Sequence, residues 1–389
     1  MGYIIFMLLL MMGYGLVARP VTVLCHELGH AIPVLLFTGQ KTSIYVGSYG
    51  DQQRSFRVPA GLLDIWFTYN PLTWQRGLCV PPNKSLTVNQ QILFTLGGAF
   101  VSLIIAVISW YFIFMRPVEG VLALGLFILL GSSVVDLIGS LNPSNRRMRI
   151  ASGQLLYNDG QALKRLFKYR KQVESASAGM NHYREKRYAE AAPLLQAALA
   201  GGYKDESVYR VAISSYVQVN DYTSARELVD EFVTGYTMNT NDHLNAAFTY
   251  SKLGLDEQAI GYYDKALALE PNNAVGLNNK AFILLNQERY AEALPLLDKA
   301  VEVNPAQQHF YTNRGLARIK TGMPNQGQAD LQHAMQLGPD NGYTFRNMGI
   351  YHLDKGDHAE ALRLLKRAKE LDHTAHRIDE LIASAERGG

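Results

Sequence analysis

Apolar positions are distributed very unevenly along the 389 residues. Three long apolar runs dominate the first part of the chain. One covers Val21 to Phe37 and is preceded by another from Tyr3 to Ala18; the second covers Gln91 to Met115 and the third Val118 to Leu141. A helix needs about 20 such residues to cross the hydrocarbon core of a bilayer, so these runs predict membrane spans. Taken as one helix, Gly2 to Thr38 would be about 55 Å long at 1.5 Å per residue, more than one bilayer. Arg19-Pro20 is placed to kink or divide it, giving three or four spans. Arg116-Pro117 forms a polar turn between the second and third runs. Between the first and second runs, Ser43-Ile44-Tyr45-Val46 and Ser55-Phe56-Arg57-Val58 flank Gly47 to Asp51. That pattern predicts a small β-hairpin.

From about Gln172 the pattern changes to helical periodicity repeated every 34 residues. One small position recurs at Ala191, Ala225, Ala259, Ala293, Gly327 and Ala361, and a second at Ala198, Phe232, Ala266, Ala300, Ala334 and Ala368. Pro271, Pro305 and Pro339 end three of the units. This period resembles the tetratricopeptide repeat, a pair of helices per unit. The resemblance implies about six units with a final capping helix from His376 to Arg387, stacked into an α-solenoid with a concave binding face. Asn245, Asn279, Asn313 and Asn347 also recur every 34 residues. In similar repeat proteins asparagines there line the groove, so these four are expected to contact a bound peptide.

Charge sharpens the division. Residues 1–145 carry 7 Lys/Arg and 5 Asp/Glu; residues 146–171 carry 8 Lys/Arg and only Asp159 as an acid; the remainder carries 22 and 28. The basic collar directly after the third run marks a cytoplasmic end by the positive-inside rule, which places the repeats in the cytoplasm. Lys41, Arg54, Arg57, Arg76 and Lys84 put the loop from Gly39 to Asn89 on the same side. The collar is too narrow for a nucleic-acid footprint, so no nucleic-acid partner is expected. Cys25 and Cys79 are the two cysteines, which is no disulfide framework.

Candidate chemistry lies inside the first run, at His26-Glu27-Leu28-Gly29-His30. Residues four apart share one helix face, so His26 and His30 can hold one metal ion. Glu27 beside them can take a proton from a water that the metal activates. Ionisable groups in a membrane segment are costly and are usually functional. Cys25 points about 100° away around the helix and is not assigned as a ligand.

With that motif, the chain resembles the site-2 protease family of intramembrane zinc metalloproteases over roughly residues 10 to 165. Besides Cys25 to Ala31 and Thr38-Gly39, the resemblance is carried by Leu96-Gly97-Gly98-Ala99-Phe100, Asn142-Pro143 and Asn158-Asp159-Gly160. It implies a third zinc ligand at Asp159, although the polar stretch between Pro143 and Asp159 departs from the family's tight spacing and requires the chain to fold back. Asp136, a lone carboxylate in the third run, is the alternative third ligand or an acceptor that orients a histidine.

The expectation is therefore a mainly α protein: a polytopic membrane zinc-protease core at 1–165, a basic linker at 166–175 and a tetratricopeptide solenoid at 176–389. One Zn2+ per chain is held by His26, His30 and Asp159, with Glu27 as general base. The expected partners are a membrane-protein substrate, the lipid bilayer, and a peptide or protein ligand of the repeats. The expected setting is a prokaryotic inner membrane. The alternative is a catalytically inactive, membrane-anchored repeat scaffold.

Overall fold

The computed structural model describes residues 2–81, 86–116, 118–151 and 155–388; Lys84 and Pro117 of the sequence argument lie outside them. Two compact units meet at 208/209.

In the first unit α1 (Gly2–Thr38) runs unbroken through Pro20 and Pro33. Of the three or four spans expected, the described residues have three helices long and apolar enough to cross a membrane, Leu16–Thr38, Val88–Phe114 and Gly120–Leu141, with no break at Arg19-Pro20. Gly39 ends α1 in the left-handed region (φ +63°) and returns its N–H to the Leu35 carbonyl at 2.9 Å, as a glycine C-cap does. The second long helix, α2 (Val88–Phe114), begins with a reciprocal capping box between Thr87 and Gln90. The third is α3 (Gly120–Leu141).

The helices approach closely because glycines face each other. A Cβ on Gly29 of α1 would overlap the Gly97 backbone of α2, and one on Gly97 would overlap Gly29. Thr22 and Ser132 join α1 to α3 through a 2.7 Å hydroxyl contact.

The segment between α1 and α2 forms a four-stranded sheet in the order β2-β3-β1-β4. Its strands are β1 (Thr42–Val46), β2 (Ser55–Ala60), β3 (Leu63–Thr68) and β4 (Gly77–Val80). The expected hairpin of β1 with β2 does not form. β1 pairs in parallel with β3 and antiparallel with β4, and β2 pairs antiparallel with β3. The tight turn lies at Gly61-Leu62, with Gly61 at φ +62°, whereas eight residues separate β1 from β2. Phe56 and Phe67 stack across the β2–β3 hairpin with ring centres 5.6 Å apart. Asp64 of β3 also pairs with Arg57 of β2 at 2.7 Å. Ile44 and Val46 of β1 are fully buried and pack with Val23, Ala31 and Cys79, seating the sheet on α1.

After α3 a two-stranded ribbon, β5 (Met148–Arg149) with β6 (Leu155–Leu156), reverses the chain into α4 (Asp159–Lys168). The pair α5 (Arg170–Arg184) and α6 (Tyr188–Ala200) follows.

The second unit begins within α7 (Glu206–Gln218) and continues as antiparallel pairs. These helices are α8 (Tyr222–Gly235), α9 (Thr240–Lys252), α10 (Asp256–Leu269), α11 (Ala274–Asn286), α12 (Tyr290–Val303), α13 (Gln308–Lys320), α14 (Pro324–Leu337), α15 (Gly342–Asp354), α16 (His358–Leu371) and α17 (Ile378–Gly388). The 34-residue positions are the packing points: Ala225, Ala259, Ala293 and Ala361 have no exposed surface, and neither do Ala266, Ala300, Ala334 and Ala368. A larger side chain there would separate the helices it lies between. The first helices of successive pairs stack, α9 on α11, α11 on α13 and α13 on α15.

Candidate metal centre

His26 and His30 lie one turn apart on α1 and face the same point. Their Nε2 atoms are 3.2 Å apart. Asp159 Oδ2 completes a triangle, 3.4 Å from each Nε2. Two ligand atoms of a tetrahedral zinc, each about 2.0–2.1 Å from the metal, are separated by about 3.3 Å. The three protein atoms therefore have the spacing that three ligands of one tetrahedral zinc would need. The donors, two imidazoles and a carboxylate, are a zinc set. Burial works to raise the Asp159 pKa, but His30 and His26 outweigh it and hold the carboxyl below its usual range.

The outer ring nitrogens are fixed by α2. His30 Nδ1 lies 2.7 Å from the Phe94 carbonyl, which can only accept, so Nδ1 carries the hydrogen. The lone pair of the neutral ring is then on Nε2, facing the shared point. His26 Nδ1 meets the Ser102 hydroxyl at 3.0 Å. Between these contacts sits Gly98, where a Cβ would overlap Nε2 of both histidines. Phe94, Gly98 and Ser102 are spaced by four residues and so line one face of α2.

Glu27 is buried beside the ligands, at 7% exposure. It faces the sheet, where a Cβ on Gly77 would come within 2.6 Å of its Oε1. Cys79 of the same strand lies beside its carboxylate. Gly47 N–H bonds the Arg76 carbonyl at 2.7 Å, so by antiparallel alternation the amides of Gly77 and Cys79 point away from β1. The free edge of β4 thus borders the site. A cavity of about 290 Å³ opens there, lined by His26, Glu27, Tyr49, Arg76, Gly77 and Asp136 among others.

Asp159 reaches the histidines because Asn158 joins two helix ends. Its Oδ1 accepts from Gln161 N–H at 3.2 Å, capping α4, and from Ser144 N–H at 3.2 Å. Its Nδ2 donates to the Asn142 carbonyl at 2.7 Å and approaches that of Gly139 at 3.3 Å, at the C-terminal end of α3. Gly160 permits the contact, since a Cβ there would overlap the Leu141 backbone.

Asp136 does not join the histidines. It is ion-paired through Oδ1 with Arg19 of α1 and is not part of the His26, His30 and Asp159 cluster. A carboxylate on an apolar helix needs a countercharge, and Arg19, 117 positions away, provides it. The residues missing from the sequence reading are Ser102, the Phe94 carbonyl, Gly77 and Arg19. Only the four-residue spacing of Phe94, Gly98 and Ser102 offered a signal.

The repeat asparagines divide. Asn313 is buried and donates to Asn278 Oδ1 at 2.8 Å; Asn347 is buried and donates to the Thr312 carbonyl at 3.0 Å. Both bond neighbouring helices. Asn245 and Asn279 are half-buried.

Two tetratricopeptide-repeat family models match, over residues 243–273 and 262–294. The chain carries tetratricopeptide repeats. Among curated proteins, stress-induced-phosphoprotein 1 of Caenorhabditis elegans is 36% identical over 80 residues, 21% of this chain and 25% of that protein. The Hsp70-Hsp90 organizing protein of Triticum aestivum is 32% identical over 97 residues, 25% of this chain and 16% of that one. The chain thus spans a quarter or less of the length of these two relatives. Among solved structures, a tetratricopeptide repeat protein from Parabacteroides merdae is 16% identical over 56% of this chain and 99% of its own, with a TM-score of 0.43. The YrrB structure, a repeat protein described as having an unusual peptide-binding site, is 20% identical over 50% of this chain and 97% of its own, with a TM-score of 0.38.

Proposed function

We propose that the chain is a zinc-dependent endopeptidase that cuts membrane-associated proteins, and that its repeats recruit a substrate or regulator at the cytoplasmic face. The observation that carries this reading is the triangle of His26 Nε2, His30 Nε2 and Asp159 Oδ2, with edges of 3.2 to 3.4 Å. Bound there, zinc would polarise a carbonyl and lower the pKa of water towards neutrality. The chain's own groups carry the rest. Glu27 takes a proton from the attacking water as its oxygen joins the carbonyl carbon, and returns that proton to the nitrogen as the C–N bond breaks. The free edge of β4 pairs with an extended substrate strand, which presents its carbonyl beside Glu27. The resemblance to site-2 proteases and the three long apolar helices support a membrane setting with the basic collar and repeats cytoplasmic.

A second reading, a membrane-anchored repeat scaffold without catalysis, is favoured by a specific observation: both matching family models fall within the repeats. One experiment separates the two. Zinc content and cleavage of a membrane-spanning test substrate are measured on detergent-purified protein, native and Glu27→Gln. The protease reading expects about one zinc per chain in both and cleavage by the native chain, with Glu27→Gln slower by at least about 10²-fold. Absence of zinc from the native protein would leave the scaffold.

A further inference from the structure

The connections that join one repeat to the next at 270–273, 304–307 and 338–341 are each four residues long, whereas 372–377, after α16, is six. The longer connection leaves the solenoid path and crosses the inner helices. His376 N–H bonds Tyr343 Oη at 3.2 Å, and Arg346 Nε donates to the His376 carbonyl at 2.6 Å. Arg377 then adopts φ +55°, a conformation few non-glycine residues take. Its guanidinium meets Glu288, 89 positions earlier in the turn between α11 and α12, at 2.6 Å. One turn into α17, Leu381 packs on a cluster containing Leu285 of α11, Leu316 of α13 and Ile350 of α15. The start of α17 therefore lies over the inner helices of three successive repeats.

The seating is incomplete. A cavity of about 210 Å³ remains between this segment and the inner helices. The Arg377–Glu288 pair is half exposed, 49% and 60%, and pairs of that kind contribute little. Arg314 and Arg318 of α13 are satisfied by Asp298 and Asp330. Arg346, only 6% exposed, bonds the His376 carbonyl and Asn347 Oδ1. The apolar side of α17 includes Ile378, Leu381 and Ala385, a stripe at i, i+3 and i+7, with Ile382 beside it.

We propose that the start of α17 is an internal occupant of the inner face of the last three repeats, and that the partner of this face is an amphipathic helix with the same chemistry. That helix carries aliphatic residues at i, i+3 and i+7, with a basic residue immediately before them to meet Glu288. It binds by displacing α17, so the tethered segment sets the threshold for any partner. The inference stands on the repeat unit alone and does not depend on the protease reading.

The probe is a fluorescein-labelled peptide of residues 374–388, titrated by anisotropy against the detergent-purified full chain. A tethered competitor acts at an effective concentration in the millimolar range, so the native chain binds the probe weakly. The Arg377→Glu/Leu381→Asp chain, whose own segment is disabled, binds it at least about ten-fold more tightly. Adding Glu288→Arg to that chain lowers the gain, and a probe with its stripe scrambled does not bind. Arg377→Glu alone, which keeps the apolar cap, shows a smaller gain of the same sign. Circular dichroism melting verifies that each variant retains its repeats. Equal binding by the native chain and both folded variants overturns the proposal and leaves α17 a plain cap.

Discussion

Asn158→Ala tests whether a capping side chain, one residue before Asp159, sets the position of that candidate third ligand. The substitution removes the N-cap of α4, worth about 1 kcal/mol. It also removes the 2.7 Å bond from Nδ2 to the Asn142 carbonyl, worth about 1 kcal/mol more. If about 2 kcal/mol of positioning is lost from the element that carries Asp159, and the histidines stay in place, zinc affinity falls by about 30-fold. The assay is competition with a chromogenic chelator on detergent-purified protein. At saturating zinc the variant should still hold one ion per chain, because all three ligands remain. Asn158→Asp keeps the oxygen that caps α4 but loses the Nδ2 donor, and should fall between the native chain and Asn158→Ala. A change of less than twofold in Asn158→Ala would refute the reasoning: the ligand would then be positioned by α4 packing alone.

Other perturbations follow from the same geometry. Gly98→Ala puts a methyl where both Nε2 atoms converge; zinc binding should fall far below one ion per chain by elemental analysis while the helical content by circular dichroism is kept. Arg19→Met leaves Asp136 unpaired on an apolar helix and should destabilise by about 3–5 kcal/mol, whereas Arg19→Met/Asp136→Leu should recover most of that in thermal unfolding. Metal-free protein should lose stability in acid through Asp159. Its folded pKa is depressed, so its contribution is present above the unfolded value of about 3.9 and is lost as pH falls towards the folded one. Chelator-treated native protein should melt at progressively lower temperature below about pH 4, and Asp159→Asn should flatten that slope.

What could be read from the sequence is what repeats or what carries a distinctive spacing. The three apolar runs became long helices because length and composition alone specify them. The 34-residue positions became packing points because only small residues fit where helix pairs cross. Contacts made at long range left no such trace. Nothing near Asp136 announces Arg19, 117 positions away, and the lone carboxylate could equally have been a ligand. The β1–β2 hairpin was a reasonable reading of two alternating segments around glycines, but Leu63 to Thr68 also alternates and lies closer to β2 through Gly61-Leu62. Asn313 and Asn347 recur at the period of a groove position, and period alone cannot say whether a side chain faces inward to a peptide or sideways to the next helix.

The candidate metal centre depends on glycines as much as on its donor residues. His26 and His30 would be two exposed bases on any amphipathic helix; here α2 comes close enough to hold both rings, with a carbonyl that fixes the tautomer of His30 and a hydroxyl that meets His26. That approach is permitted where Gly29 meets Gly97, and the empty volume between the rings exists because residue 98 has no side chain. Gly160 does the same for the third ligand, letting α4 close on the last turn of α3, and Gly77 lets β4 lie against Glu27. A histidine-glutamate motif in an apolar run therefore specifies little by itself. Here the chemistry is specified by the motif together with four places where a methyl group would not fit, and a chain that kept His26, Glu27 and His30 but lost those gaps would keep the motif without the site.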